Sequence, residues 1–254
     1  SDVCSSISFL LSPEGEITNA DGYRVLDEGG AVVEDIFPGV SAPIAVVGVT
    51  EKGQADLRLV VEQQGGHAST PPRVTATVRL ARAILRLNEK PFPARFSPTA
   101  IDMFRTLGDH ATGAVGWAFR NIGLTRVALL PYIARSGPEL SALVRTTQAV
   151  TILEAGQAHN ALAERAEANV NVRIAVGTSL DDVVAHVRRA IGDDQVHVEL
   201  VHGSPAPPVS LLSGIGWEVV RSTIEATYPG KSLKMHSIIV RPGALTVSPQ
   251  EASN

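Results

Sequence analysis

The chain has one cysteine, Cys4, in 254 residues, so it forms no internal disulfide and builds no cysteine-based zinc cluster. Any metal here must be held by histidine and carboxylate. No apolar run approaches the roughly 20 residues that cross a bilayer. The patch from Ile7 to Leu11 lacks the basic flank and cleavage site of a signal peptide. No membrane association is expected, and the cytoplasm is the default location, with secretion or a vacuole open if an N-terminal segment precedes Ser1. Lysine and arginine are scattered: 22 basic against 26 acidic residues give a formal charge of −4. Phosphate backbones need concentrated positive charge, so nucleic acid is excluded as a partner. P-loop, dinucleotide turn, nucleophile elbow and a helix with paired histidines four apart are all missing.

What is present is ample core material, 44% hydrophobic with 19% charged residues. Pro43 to Thr50 and Asp56 to Gln63 read as consecutive strands, the second alternating Leu57, Leu59 and Val61 with polar neighbours. After Gly65 and Gly66, the positions Val74, Val78, Ala81, Ile84 and Leu85 recur at helical spacing, with Pro71 and Pro72 suited to a first turn. Residues 97–143 read as a helical insertion. Arg145 to Glu154 and Ala166 to Ile174 follow as antiparallel strands. Ser179 with Asp182 resembles a capping box opening a helix, and Gln195 to Val201 alternates as a last strand. The order strand, helix, strand, strand, helix, strand is the split βαβ arrangement of a ferredoxin-like domain, expected over residues 52–202. The flanks, 1–51 and 203–254, carry strand and helix signals of a larger α/β domain into which it is inserted.

Few polar residues stand where chemistry is done. Gly65-Gly66-His67-Ala68-Ser69-Thr70-Pro71-Pro72 places an imidazole between glycines and a helix start, suited to hydrogen-bonding a carbonyl oxygen that becomes negative in a transition state. A surface-loop histidine is the plainer reading of that segment taken alone. Asp27-Glu28-Gly29-Gly30 puts carboxylates at the end of an apolar stretch, where they make good metal ligands or a solvated turn. His159-Asn160 falls between two strands, and Asn160 suits turn formation. Arg173 lies on the polar face of its strand beside Asn169 and Asn171, able to grip a carboxylate bidentately or to form a cross-strand ion pair. His110, His186, His197, His202 and His236 show no ligand spacing.

Val25-Leu26-Asp27-Glu28-Gly29-Gly30, Thr50-Glu51-Lys52-Gly53, Gly66-His67-Ala68-Ser69-Thr70-Pro71-Pro72, Arg145-Thr146-Thr147 and Asn169-Val170-Asn171-Val172-Arg173-Ile174 occur in that order. Together they resemble the dinuclear-zinc metallopeptidases of the aminoacylase, carboxypeptidase S, acetylornithine deacetylase and succinyl-diaminopimelate desuccinylase kind, nearest the carboxypeptidase S and N-fatty-acyl-amino-acid hydrolase branch. The resemblance implies a zinc-dependent amide hydrolase acting on N-acyl amino acids or small peptides with a free carboxylate. It implies Glu28 as zinc ligand, His67 as the lid histidine that polarises the substrate carbonyl, Asn160 as its assistant and Arg173 as the grip on the substrate carboxylate. It also implies a homodimer formed by lid domains paired edge to edge. The family's His-x-Asp motif, bridging Asp and Glu-Glu pair are absent from Ser1 to Gly22, and His236 to Asn254 does not match its distal histidine segment. The expectation is therefore a truncated or degenerate member, inert alone, or a non-catalytic dimerisation or ligand-binding module derived from such an enzyme.

Overall fold

The computed structural model describes residues 10–11, 24–25, 31–33, 39–40, 44–210, 213, 215–227 and 234–239. In chain order its elements are β1 (Leu10–Leu11), β2 (Arg24–Val25), β3 (Ala31–Val33), β4 (Ile44–Thr50), β5 (Gly53–Glu62), β6 (Gly66–His67), α1 (Ala76–Glu89), α2 (Pro98–His110), α3 (Gly113–Arg120), α4 (Ile122–Ile133) and α5 (Pro138–Leu143). There follow β7 (Thr147–Ala155), β8 (Ala161–Leu162), β9 (Arg165–Ile174), α6 (Leu180–Ile191), β10 (His197–Ser204), α7 (Ile215–Thr227) and β11 (Lys234–Ile239). They fall into two compact units, one from residues 52–95 and 134–207, the other from the described parts of 1–51, 96–133 and 208–254.

The first unit is a four-stranded sheet in the order β10-β5-β9-β7, with every neighbouring pair antiparallel. α1 links β5 to β7 and α6 links β9 to β10, so each crossover skips one strand, the ferredoxin-like topology expected from periodicity. The alternation in β9 is the physical cause: Ala166, Ala168, Val170, Val172 and Ile174 are buried while the residues between them are not. These side chains meet Ala55, Leu57, Leu59 and Val61 of β5 and the apolar stripes of α1 (Leu80, Ala83, Leu87) and α6 (Val183, Val187, Ile191) in one core. Burying each Leu or Val contributes roughly 1.5–3 kcal/mol, so this stripe matching outweighs local propensity.

Local signals set the ends. Ser179 Oγ accepts from Asp182 N (3.1 Å) while the Asp182 carboxylate accepts from Ser179 N (3.1 Å), a reciprocal capping box that opens α6. At the other end Gly192, with φ 56°, takes the left-handed conformation that closes the helix. α1 starts at Ala76, later than Pro71 and Pro72 imply, because the Thr75 hydroxyl accepts from Val78 N (3.4 Å) and so caps the helix after the prolines. β10 likewise starts two residues after Gln195. Asp193 accepts from Gln195 N (3.1 Å) through its side chain and from Val196 N (3.1 Å) through its carbonyl, so both donors belong to a turn. Gly53 is required by close approach: a Cβ there would lie 2.5 Å from backbone atoms of Ser204, Pro205 and Ala206.

The second unit holds a three-stranded sheet, β11-β4-β3, in which β11 runs parallel and β3 antiparallel to β4. Within it, α2 buries Met103, Phe104 and Leu107, and Phe104 packs on Phe119 of α3 with ring centroids 5.1 Å apart. Gly108 lets α3 come close, since a Cβ would sit 2.5 Å from Arg120 N. No helix among the described residues is long and apolar enough to cross a membrane.

Candidate functional site

His67 and Asn160 meet at one tip of the four-stranded unit. Beyond the Glu62–Arg165 pair that ends the β5–β9 ladder, the two chains stay zipped by Gln63 N donating to Glu164 O (2.9 Å). They pair again as β6 and β8, with His67 opposite Ala161, and Ala68 N donates to Asn160 O (2.9 Å). This ribbon fixes the backbone of both residues while leaving their side chains exposed.

The imidazole is also oriented. Ser69 N donates to His67 Nδ1 (3.2 Å), and Ser69 Oγ lies 2.8 Å from the same nitrogen. A backbone N–H can only donate, so Nδ1 is an acceptor and the proton of the neutral ring sits on Nε2. Nε2 makes no hydrogen bond with the described residues, and neither does the Asn160 amide. The tip therefore presents an N–H donor and a carboxamide to whatever approaches it. Of the two glycines before His67, a Cβ on Gly65 would meet only the flexible Glu164 side chain and one on Gly66 would make ordinary contact at 3.5 Å.

Arg173 lies at the other end of β9, on the sheet face away from α1 and α6, opposite Gln54 of β5 and Thr147 of β7. Its Nη1 donates to Gln54 Oε1 (3.2 Å), and it has no ion pair among the described residues. Arg173 lies eight residues along β9 from Arg165, so at about 3.3 Å per residue roughly 26 Å of strand separates it from the end where the histidine tip begins. Between them the same face carries Asn171 Nδ2 donating to Asp56 Oδ1 (2.9 Å) and Asn169 Nδ2 to Thr151 Oγ1 (2.9 Å). The structure thus brings His67 and Asn160 together and holds Arg173 apart. Glu28 lies outside the described residues.

Three contributors carry no role in the sequence pattern, although Ser69 and Lys52 stand inside the ordered motifs. Ser69 sets the His67 tautomer, which its position two residues on could have signalled; Gln54 holds Arg173 through register alone. Lys52 is largely buried where β5 begins, and its Nζ donates to Arg145 O (2.7 Å). Burial pushes its ammonium down to about 8. His186 is structural: it stacks on Phe92 at 3.9 Å, contacts Lys90 O at 3.0 Å, and burial lowers its imidazole below the ordinary range.

Residues 49–199 match the model of the peptidase dimerisation domain family. The chain belongs to that family. It is 35% identical over 207 residues to the probable carboxypeptidase S-like 2 of Dictyostelium discoideum, covering 81% of this chain and 40% of the relative. It is 31% identical over 208 residues to a human N-fatty-acyl-amino acid synthase/hydrolase, covering 81% and 41%. Human carnosine dipeptidase 1 aligns in structure with a TM-score of 0.48 and 11% identity, over 83% of this chain and 48% of that one. The chain spans about 40% of the length of the curated relatives it matches. The family and branch expected from the ordered motifs are thus the ones found. As for zinc, no group of three or more His, Cys, Asp or Glu side chains among the described residues could hold a metal ion. The described part does not fit a metal centre, and the chemistry it offers is hydrogen bonding and charge.

Proposed function

We propose that this chain is the dimerisation and substrate-orienting part of a zinc-dependent amide hydrolase acting on N-acyl amino acids or small peptides with a free carboxylate, working as a homodimer. The observation that carries this reading is the placement of His67 with Asn160 at one end of the β5–β9 ribbon and of Arg173 at the other. In this reading His67 Nε2–H donates to the scissile carbonyl oxygen as negative charge grows on it, and Asn160 adds a second donor. Arg173 takes the substrate's terminal carboxylate. Glu28 is proposed as one zinc ligand, the remaining ligands and the general base lying outside the described residues.

One subunit cannot combine groups so far apart, but two can. Among the described residues β7 pairs on one side only, an edge of nine residues in which Val150, Ile152 and Leu153 are exposed and Glu154 carries the single charge. Antiparallel pairing of two β7 edges about a two-fold axis sets Thr147 of one protomer beside Ala155 of the other. That sets Arg173 of one sheet about 14 Å, three strand spacings, from Ala166 of its partner, at the end beyond which the His67 tip of that partner projects.

The test measures zinc content and hydrolysis of a panel of N-acyl amino acids by protein in which this chain is joined to the metal-bearing segment of its locus. His67→Ala is expected to lower kcat on the order of a hundredfold or more, the loss typical of an oxyanion donor. Full activity in that variant sinks the role of His67. If the joined protein dimerises yet holds no zinc and hydrolyses nothing, the alternative stands: a non-catalytic dimerisation or ligand-binding module descended from such an enzyme.

A further inference from the structure

The contact that orients His67 also sets a nucleophile beside a base. Ser69 Oγ stands 2.8 Å from His67 Nδ1, within the reach at which a base activates a hydroxyl. The protonation pattern follows from the backbone. Ser69 N–H donates to Nδ1 at 3.2 Å, so that nitrogen carries a lone pair and no proton. Between Oγ and Nδ1 only the hydroxyl can then donate, and its proton points at the ring. This is the state a serine needs before it attacks a carbonyl carbon.

The pair is preformed and reachable. The β6–β8 ribbon holds the backbone of His67 against Ala161, and Thr70 N donates to His67 O (3.2 Å), closing the loop that carries Ser69. Ser69 Oγ has no other hydrogen-bond partner among the described residues, and both side chains are exposed. His67 has no ion pair among them, so no carboxylate strengthens the base and turnover is slow. Asn160, tied to the same loop through Ala68 N, offers an unengaged carboxamide N–H for a developing oxyanion. We infer that Ser69 is a nucleophile with His67 as its general base, and that this tip hydrolyses carboxylic esters through an acyl-Ser69 intermediate. Oγ attacks the ester carbon while its proton passes to Nδ1; the bond to the alcohol oxygen breaks, and the alcohol leaves with that proton. Water, deprotonated by Nδ1, then releases the acid and restores the Ser69 hydroxyl. The role proposed for His67 in amide hydrolysis uses Nε2–H and zinc, so either role can fail without the other.

The purified chain, mixed with p-nitrophenyl acetate in buffer containing EDTA, tests this, with nitrophenolate followed by absorbance and the acetylated peptide mapped by mass spectrometry. The expected result is a burst of about one equivalent of nitrophenolate per chain, slow turnover after it, and acetyl on Ser69. Ser69→Ala abolishes the burst, and His67→Gln slows it on the order of a hundredfold. Both positions are exposed and Ser69→Ala keeps the backbone donor to Nδ1, so circular dichroism should report an unchanged fold. Acetyl found only on lysine or imidazole, a full burst from Ser69→Ala, or no burst at all overturns the inference and leaves the Ser69–His67 contact as a brace for the turn.

Discussion

Lys52 shows how much a single side chain records about its surroundings. Its ammonium is buried with a backbone carbonyl as partner, so the charged form is penalised and its value falls to about 8 from an ordinary 10.5. Between those two values the unfolded chain binds more protons than the folded one, so stability rises as pH climbs through this window. The gain is on the order of 3 kcal/mol at most. A chemical-denaturation series from pH 7 to 11 should show that rise in the wild type and its loss in Lys52→Met; identical slopes would mean that Lys52 is better solvated than it looks. His67 makes the complementary point. A histidine between glycines is visible in any sequence, but the tautomer that makes it a donor depends on Ser69 N reaching Nδ1.

At the scale of elements, the capping box of α6 and the alternation of β9 carry the first unit. Ser179→Ala removes the acceptor for Asp182 N and is expected to lower stability by about 1 kcal/mol, read as a shift in the denaturant midpoint. An unshifted midpoint would put the weight of α6 on its buried Val183, Val187 and Ile191 instead. These elements were legible because their signals are local: a cap and its helix lie within four residues, and a strand's faces repeat every two. The boundaries that moved, at α1 and β10, did so because Thr75 and Asp193 captured nearby backbone donors. Arg173 marks the limit of such reading, since its neighbour across the sheet is the neutral Gln54 rather than an acid, a matter of register between distant strands.

For the whole molecule, the proposed β7-to-β7 dimer makes the groups proposed for catalysis depend on an interface. An uncovered edge strand invites pairing, and charges placed on it prevent pairing. Ile152→Lys with Leu153→Lys should convert a micromolar dimer to monomer in light scattering without altering the circular dichroism spectrum. A monomeric wild type, or a variant that stays dimeric, would remove the β7 edge from the reading and leave Arg173 and His67 unconnected.

By itself the sequence determined the ferredoxin-like topology, because period-2 and helical stripes admit few ways to bury their apolar faces, and it determined the family, because five ordered motifs rarely recur together. Only the tertiary structure decided that His67 and Asn160, 93 residues apart in sequence, share one tip while Arg173, 13 residues from Asn160, stands at the opposite end. The reason is geometric. Strand pairing joins residues by register and parts them by the rise along each strand, so nearness in the chain says little about nearness in space.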